Sequence, residues 1–126
     1  MAFVCPNCGF PQALMVDRSI NLPPDSRSDD IVLQTLRCDL CRFRGAAVYE
    51  ESRRGSMDSE SWDHRGYMVS DGDVEWLSAM IDRCPELKNK RCGCKTHKEL
   101  SRKDDSGRWL MPENITWEET FPMRLR

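Results

Sequence analysis

Short apolar runs of strand length alternate with polar, turn-forming stretches over the first fifty residues, and an apolar face of helical spacing follows after residue 70. Phe3-Val4 reads as a short strand running into Cys5. Ala13-Leu14-Met15-Val16 is a second apolar run of strand length. Residues 17–30 hold two prolines, four aspartates and three serines, which is turn chemistry, and are expected as an exposed loop. Ile31 to Arg37 reads as a β-strand delivering Cys38 and Cys41, and Phe43 to Glu51 as the returning strand, with Ala47, Val48 and Tyr49 at its centre. The unit is a small antiparallel sheet. Phe3, Phe10, Phe43 and Tyr49 are expected to pack at the end where the cysteines gather.

Residues 52–69 are polar and rich in Ser and Gly and read as a linker, with Trp62 and Tyr67 as anchors and His64 as a surface or capping histidine. Ser70 opens a helix. Its hydroxyl can cap free N–H groups, with Asp73 at the third helical position. Asp71, Asp73 and Glu75 suit the positive end of the helix dipole. Val74, Leu77, Ile81 and Cys84 step by helical intervals along one face, which Trp76 and Met80 widen as core residues. Pro85 ends the helix by disfavouring helical geometry at Cys84. Thr96 to Leu100 starts a short helix presenting His97. The last segment, 104–126, sets Trp109, Leu110, Met111, Ile115, Trp117, Phe121 and Leu125 among polar residues and is broken by Pro112 and Pro122. It reads as an extended tail, either folded back over the helical segment or held out as an arm.

The cysteines carry the chemistry. Cys5-Pro6-Asn7-Cys8 and Cys38-Asp39-Leu40-Cys41 are two C-x-x-C knuckles, with 29 residues between Cys8 and Cys38. A two-residue spacer lets a tight turn aim both sulfurs at one point, and two such turns supply the tetrahedral shell of four thiolates that zinc takes in closed sites. Gly9 suits the turn because glycine accepts positive φ without steric cost. Seven cysteines are an odd number, which fits metal ligation better than a disulfide framework. After the first four, Cys84, Cys92 and Cys94 remain, and His97 three positions on completes a Cys₃His set, whose alternative is three thiols packed as small hydrophobes.

Knuckle, strands, second knuckle and final strand resemble the zinc-ribbon class over residues 3–51, which implies a metal role for Cys5, Cys8, Cys38 and Cys41. The knuckle spacing also resembles rubredoxin, the mononuclear iron electron carrier, and tetrahedral sulfur suits either metal. The expected fold is a small α+β metal-stabilised protein: an N-terminal zinc ribbon of antiparallel β-structure (1–51), a linker, and a short helical C-terminal zinc-binding module (70–103). Two zinc ions are expected, with iron at the first site as the alternative.

The 126 residues are 39% hydrophobic and 32% charged, a soluble composition with a modest core. Units of about 50 residues bury too little apolar surface alone, a deficit that metals commonly offset. No apolar run reaches the length of a membrane-spanning helix. The N-terminus has no signal-peptide pattern, so a cytoplasmic protein is expected. The net charge of −2 conceals blocks: residues 50–82 sum to −6 and residues 83–103 to +6. Lys88, Lys90, Arg91, Lys95 and Lys98 are therefore candidate partner-binding residues, unless the blocks only solvate the surface. Only two histidines occur, and nothing resembles a phosphate-cradling loop or an activated nucleophile, so no enzymatic activity is expected. The expected function is a zinc-binding interaction module or accessory subunit of a protein complex, with nucleic acid possible through 83–103. Rubredoxin-like electron transfer is the alternative.

Overall fold

The computed structural model describes residues 2–54 and 61–125. Among them, six strands form one antiparallel sheet in chain order: β1 (Ala2–Phe3), β2 (Leu14–Leu22), β3 (Asp30–Cys38), β4 (Arg44–Ser52), β5 (Ser61–Tyr67) and β6 (Thr120–Pro122). Two helices, α1 (Asp71–Asp82) and α2 (Lys95–Leu100), lie between β5 and β6 in sequence. The sheet curls until its ends meet. Beyond β6, the Arg124 carbonyl accepts a hydrogen bond from the Val4 amide at 2.7 Å, tying the chain after the last strand to the chain after the first. None of the described helices is long and apolar enough to cross a membrane.

One irregularity decides what each face of the sheet buries. Between Val16 and Arg18 the β2–β3 register shifts by a bulge at Asp17. In a regular strand Leu14, Val16, Ile20 and Leu22 would share one face, because side chains alternate. The extra residue flips the second half. Leu14 and Val16 therefore join Leu36, Cys38, Ala47 and Phe121 on the inside of the curl, whereas Ile20 and Leu22 join Ile31, Leu33, Ala46 and Val48 on the outside. That outer face is covered by α1, through Val74, Leu77, Met80 and Ile81, together with Leu100, Trp109 and Ile115. The helix starts as expected: the Ser70 hydroxyl accepts from the Asp73 amide at 3.1 Å.

Several sequence expectations change. Residues 17–22, expected in a loop, are strand, because Ile20 and Leu22 alternate with Ser19 and Asn21 and fill the core. The sheet takes strands from the segments expected as ribbon, linker and tail. Ser61–Tyr67 of the expected linker is β5, although residues 55–60 lie outside the described residues. The expected extended tail packs: Trp109, Ile115 and Phe121 are buried, and Thr120–Pro122 pairs with β5. Gly66 makes that pairing possible, since a Cβ there would stand 2.2 Å from the Phe121 ring. Trp62 is 68% exposed, whereas Tyr67 packs edge-on against Trp117, centroids 5.2 Å apart. Phe10, expected in the core, is 57% exposed.

The loop between β2 and β3 is clasped from inside. Asp25 is buried, and its carboxylate accepts from the amides of Arg27 (2.9 Å), Ser28 (2.7 Å) and Trp109 (2.7 Å) and from the Arg108 guanidinium. Arg108 also pairs with Glu50 of β4. This clasp joins the loop to the C-terminal segment.

Candidate metal centres

The first centre lies inside one end of the curl, where β1, β2 and β3 meet. Its two knuckles share a pattern, Cys5-x-x-Cys8-Gly9-Phe10 and Cys38-x-x-Cys41-Arg42-Phe43, and fold alike. In each, the residue after the second cysteine has positive φ, 75° at Gly9 and 66° at Arg42. In each, the first cysteine's amide donates to the carbonyl of the phenylalanine, Cys5 to Phe10 at 3.2 Å and Cys38 to Phe43 at 2.8 Å. The repeated C-x-x-C-x-F was the signal in the sequence for this second pairing, beyond the cysteines themselves.

The sulfurs converge across the knuckles. Cys5 Sγ lies 3.6 Å from Cys41 Sγ, and Cys8 Sγ lies 3.8 Å from Cys38 Sγ. A tetrahedron with metal–sulfur bonds of ~2.3 Å has edges of about 3.8 Å, so these spacings fit a single bound cation. The Asn7 amide donates to Cys41 Sγ and the Leu40 amide to Cys38 Sγ, both at 3.3 Å. Burial pushes the Cys5 thiol up to about 12, while the Asn7 amide brings Cys41 down to about 6. Thiols packed this closely cannot all ionise without a cation among them, and a bound divalent metal would hold all four as thiolates.

The second centre sits outside the sheet beside β2. Cys84 follows α1, Cys92 and Cys94 come from the loop, and His97 lies in α2. All four ligand atoms fall within 4.8 Å of one another, as do those of the first group. Cys94 also caps α2, its Sγ accepting from the His97 amide at 3.4 Å. His97 Nδ1 is 3.1 Å from Cys84 Sγ and 3.3 Å from Cys94 Sγ, and its other nitrogen, Nε2, lies 2.9 Å from the Asn21 carbonyl. A carbonyl only accepts, so Nε2 carries the proton and Nδ1 presents its lone pair to the metal position. Such an outer hydrogen bond fixes both tautomer and ring orientation of a ligating histidine. His97 is 1% exposed. Burial pushes Cys84 up to about 11. At Cys94 burial acts the same way, but the His97 backbone amide, which donates to the sulfur, helps to outweigh it and the thiol comes to about 6.

The second centre also bolts a loop to the sheet. β1 pairs with β2 only at Met15 and Leu14, so the far half of that edge of β2 is left to other partners. There Asn21 donates its amide to the Leu87 carbonyl at 2.8 Å and accepts from His97.

Both groups could hold a metal ion, and the eight expected ligands are brought together as two sets of four. His64 belongs to neither. It sits in β5, half-buried, and not at the surface position expected. Of the candidate partner-binding cations, Lys88, Arg91, Lys95 and Lys98 are exposed around the second centre. Lys90 is half-buried, pairing with Asp30 at 2.9 Å and reaching the Asp29 carbonyl. A scan against protein-family models and searches of curated proteins and solved structures find no match to the chain.

Proposed function

We propose that the chain is a non-enzymatic zinc-binding protein, acting as an interaction module or accessory subunit of a larger protein complex. One observation carries the reading: both ligand sets are complete, and the hydrogen bonds around them orient ligands. Each centre offers four protein donors. Around them the Asn7 side chain, the Leu40 and Glu86 amides and the Asn21 carbonyl take up remaining hydrogen-bonding capacity. Four thiolates, or three thiolates and an imidazole, are the donor sets of closed structural zinc; a catalytic zinc keeps a position for water. The first centre joins two knuckles distant in sequence, and the second fixes the loop between Cys84 and His97, whose ring bonds the Asn21 carbonyl of β2.

The exposed cations Lys88, Arg91, Lys95 and Lys98 support a docking surface beside the second centre, addressed to an acidic protein surface. Nucleic acid along 83–103 is the second choice, because the segment lacks the interleaved aromatic rings on which single strands stack. Native mass spectrometry tests the metal reading. Two zincs per chain are expected, and one in Cys92→Ser/Cys94→Ser. A red, iron-containing protein would replace the reading with electron transfer at the first centre. Reversing Lys88, Arg91 and Lys98 to Glu is expected to weaken partner capture in a salt-dependent way. Capture unchanged by that triple substitution would reduce the surface to a solvated one.

A further inference from the structure

Beyond the first metal centre the described residues leave the inside of the curl unfilled. It opens as a groove of about 740 Å³, lined by Phe3, Val16, Gln34, Tyr49, Trp62 and His64, with Met15, Met123 and Leu125 completing the wall. That volume falls among small-molecule sites, which run from about 300 to 1,000 Å³ and favour the mouths of curled and closed sheets. None of the nine described residues that line it carries a carboxylate, an ammonium or a guanidinium. Trp62, 68% exposed, and Leu125, 52% exposed, present apolar surface to solvent here.

Two polar side chains face each other on this wall. His64 of β5 is held edge-on by Phe3 and Tyr49, with ring centroids 5.3 and 5.6 Å away. Its Nε2 lies 2.7 Å from Gln34 Oε1 of β3. Burial lowers the imidazole pKa, which favours the neutral ring. An amide oxygen only accepts, so Nε2 donates, leaving His64 Nδ1 as an acceptor and the Gln34 NH₂ as a donor. Reversing the amide together with the tautomer exchanges these roles but again leaves one donor and one acceptor. Among the described residues, neither spare group has a partner.

The geometry points to a binding site for an uncharged planar ring that carries both a hydrogen-bond donor and an acceptor, a lactam or carboxamide heterocycle. The aromatic walls of Tyr49 and Trp62 suit a flat ring, the His64–Gln34 pair supplies the complementary donor and acceptor, and the absence of charge among the described lining residues disfavours a phosphorylated or carboxylated ligand. This site is separate from the metal centres and does not depend on which metal they hold.

The test is an NMR titration of the full-length, metal-loaded chain with uracil and nicotinamide as probes and toluene as the apolar control. Uracil or nicotinamide is expected to shift the side-chain resonances of His64, Gln34 and Trp62. Gln34→Met and His64→Phe are each expected to weaken that binding about three- to tenfold, the effect of one hydrogen bond, and to leave toluene binding undiminished. Metal content and amide spectra away from the groove show whether each variant is folded; Gln34→Met decides the matter if His64→Phe is not. Toluene binding as tightly as the polar rings, with Gln34→Met without effect, would overturn the proposal in favour of a purely apolar groove. Tighter binding of uridine monophosphate than of uracil would overturn the choice of an uncharged ligand. No shift with any probe would overturn the site.

Discussion

Asp25 keeps a full charge where water scarcely reaches. Burial alone would raise its pKa, but the amides of Trp109, Ser28 and Arg27 and the Arg108 guanidinium outweigh it and hold the carboxyl at about 2, below its ordinary 3.8. A depressed folded pKa contributes stability above the unfolded value and loses it as pH falls through the folded one. Asp25→Asn is therefore expected to cost about 2–3 kcal/mol at pH 7. In urea titrations the gap to wild type narrows as pH falls from 4 towards 2; a gap independent of pH would mean that shape, and not charge, does the holding. At Arg42 the expected change is a gain. A non-glycine residue at φ 66° is strained, and the equivalent place in the first knuckle is Gly9. Arg42→Gly should add about 0.5–1 kcal/mol to the stability of the metal-loaded protein, measured by thermal unfolding. Unchanged stability would place the strain elsewhere. These residues also mark what could be read in advance. Ligands spaced two or three apart announce themselves because one turn aims them together. Asp25 does not, since Trp109, its partner, is 84 positions away, and a lone aspartate among serines and prolines reads as turn chemistry.

Elements were legible where pattern and composition agreed. α1 was plain from its spacing and cap. The second half of β2 is hard to read because Asp, Ser and Pro between 17 and 30 outweigh the alternation of Ile20 and Leu22, and the bulge at Asp17 hides which face each residue serves. β5 is not legible, because Ser-Trp-Asp-His-Arg-Gly-Tyr has no apolar run. It is strand because β4 and β6 flank it and Gly66 lets Phe121 lie against it. Gly66→Ala is expected to force the Phe121 ring aside and cost about 1–3 kcal/mol, as overpacking does. In a Phe121→Leu background the same substitution should cost measurably less, because the clash is with that ring. Equal costs in both backgrounds would point to backbone strain in β5 as the cause.

At the scale of the molecule, the two metal centres sit towards opposite ends of β2. The first gathers beside Leu14, the second at Asn21, seven residues on, or about 23 Å along an extended strand. They also serve different layers. The first sits inside the curl with Phe3, Leu36 and Phe121, and the second outside it with α1, Leu100 and the C-terminal segment. Leu36 and Leu33 of β3 belong to different clusters, so the sheet itself is the wall between the two layers. Losing one ion should therefore loosen one layer and spare the other. In Cys92→Ser/Cys94→Ser, hydrogen exchange is expected to quicken at the amides of Asn21, Cys92 and Lys98, whose acceptors lie in the loop around the second centre. The amides of Cys5, Gly9, Cys38 and Asp39, bonded within the first centre's knuckles and to Ala13, should keep their protection. Cys38→Ser should give the mirror result. The pairing of Ile20 with Leu33 and of Leu22 with Ile31 on the other edge of β2 gives that strand an anchor independent of either ion. If either variant instead exposes both sets of amides together, the layers fold as one cooperative unit and the two ions stabilise a single transition.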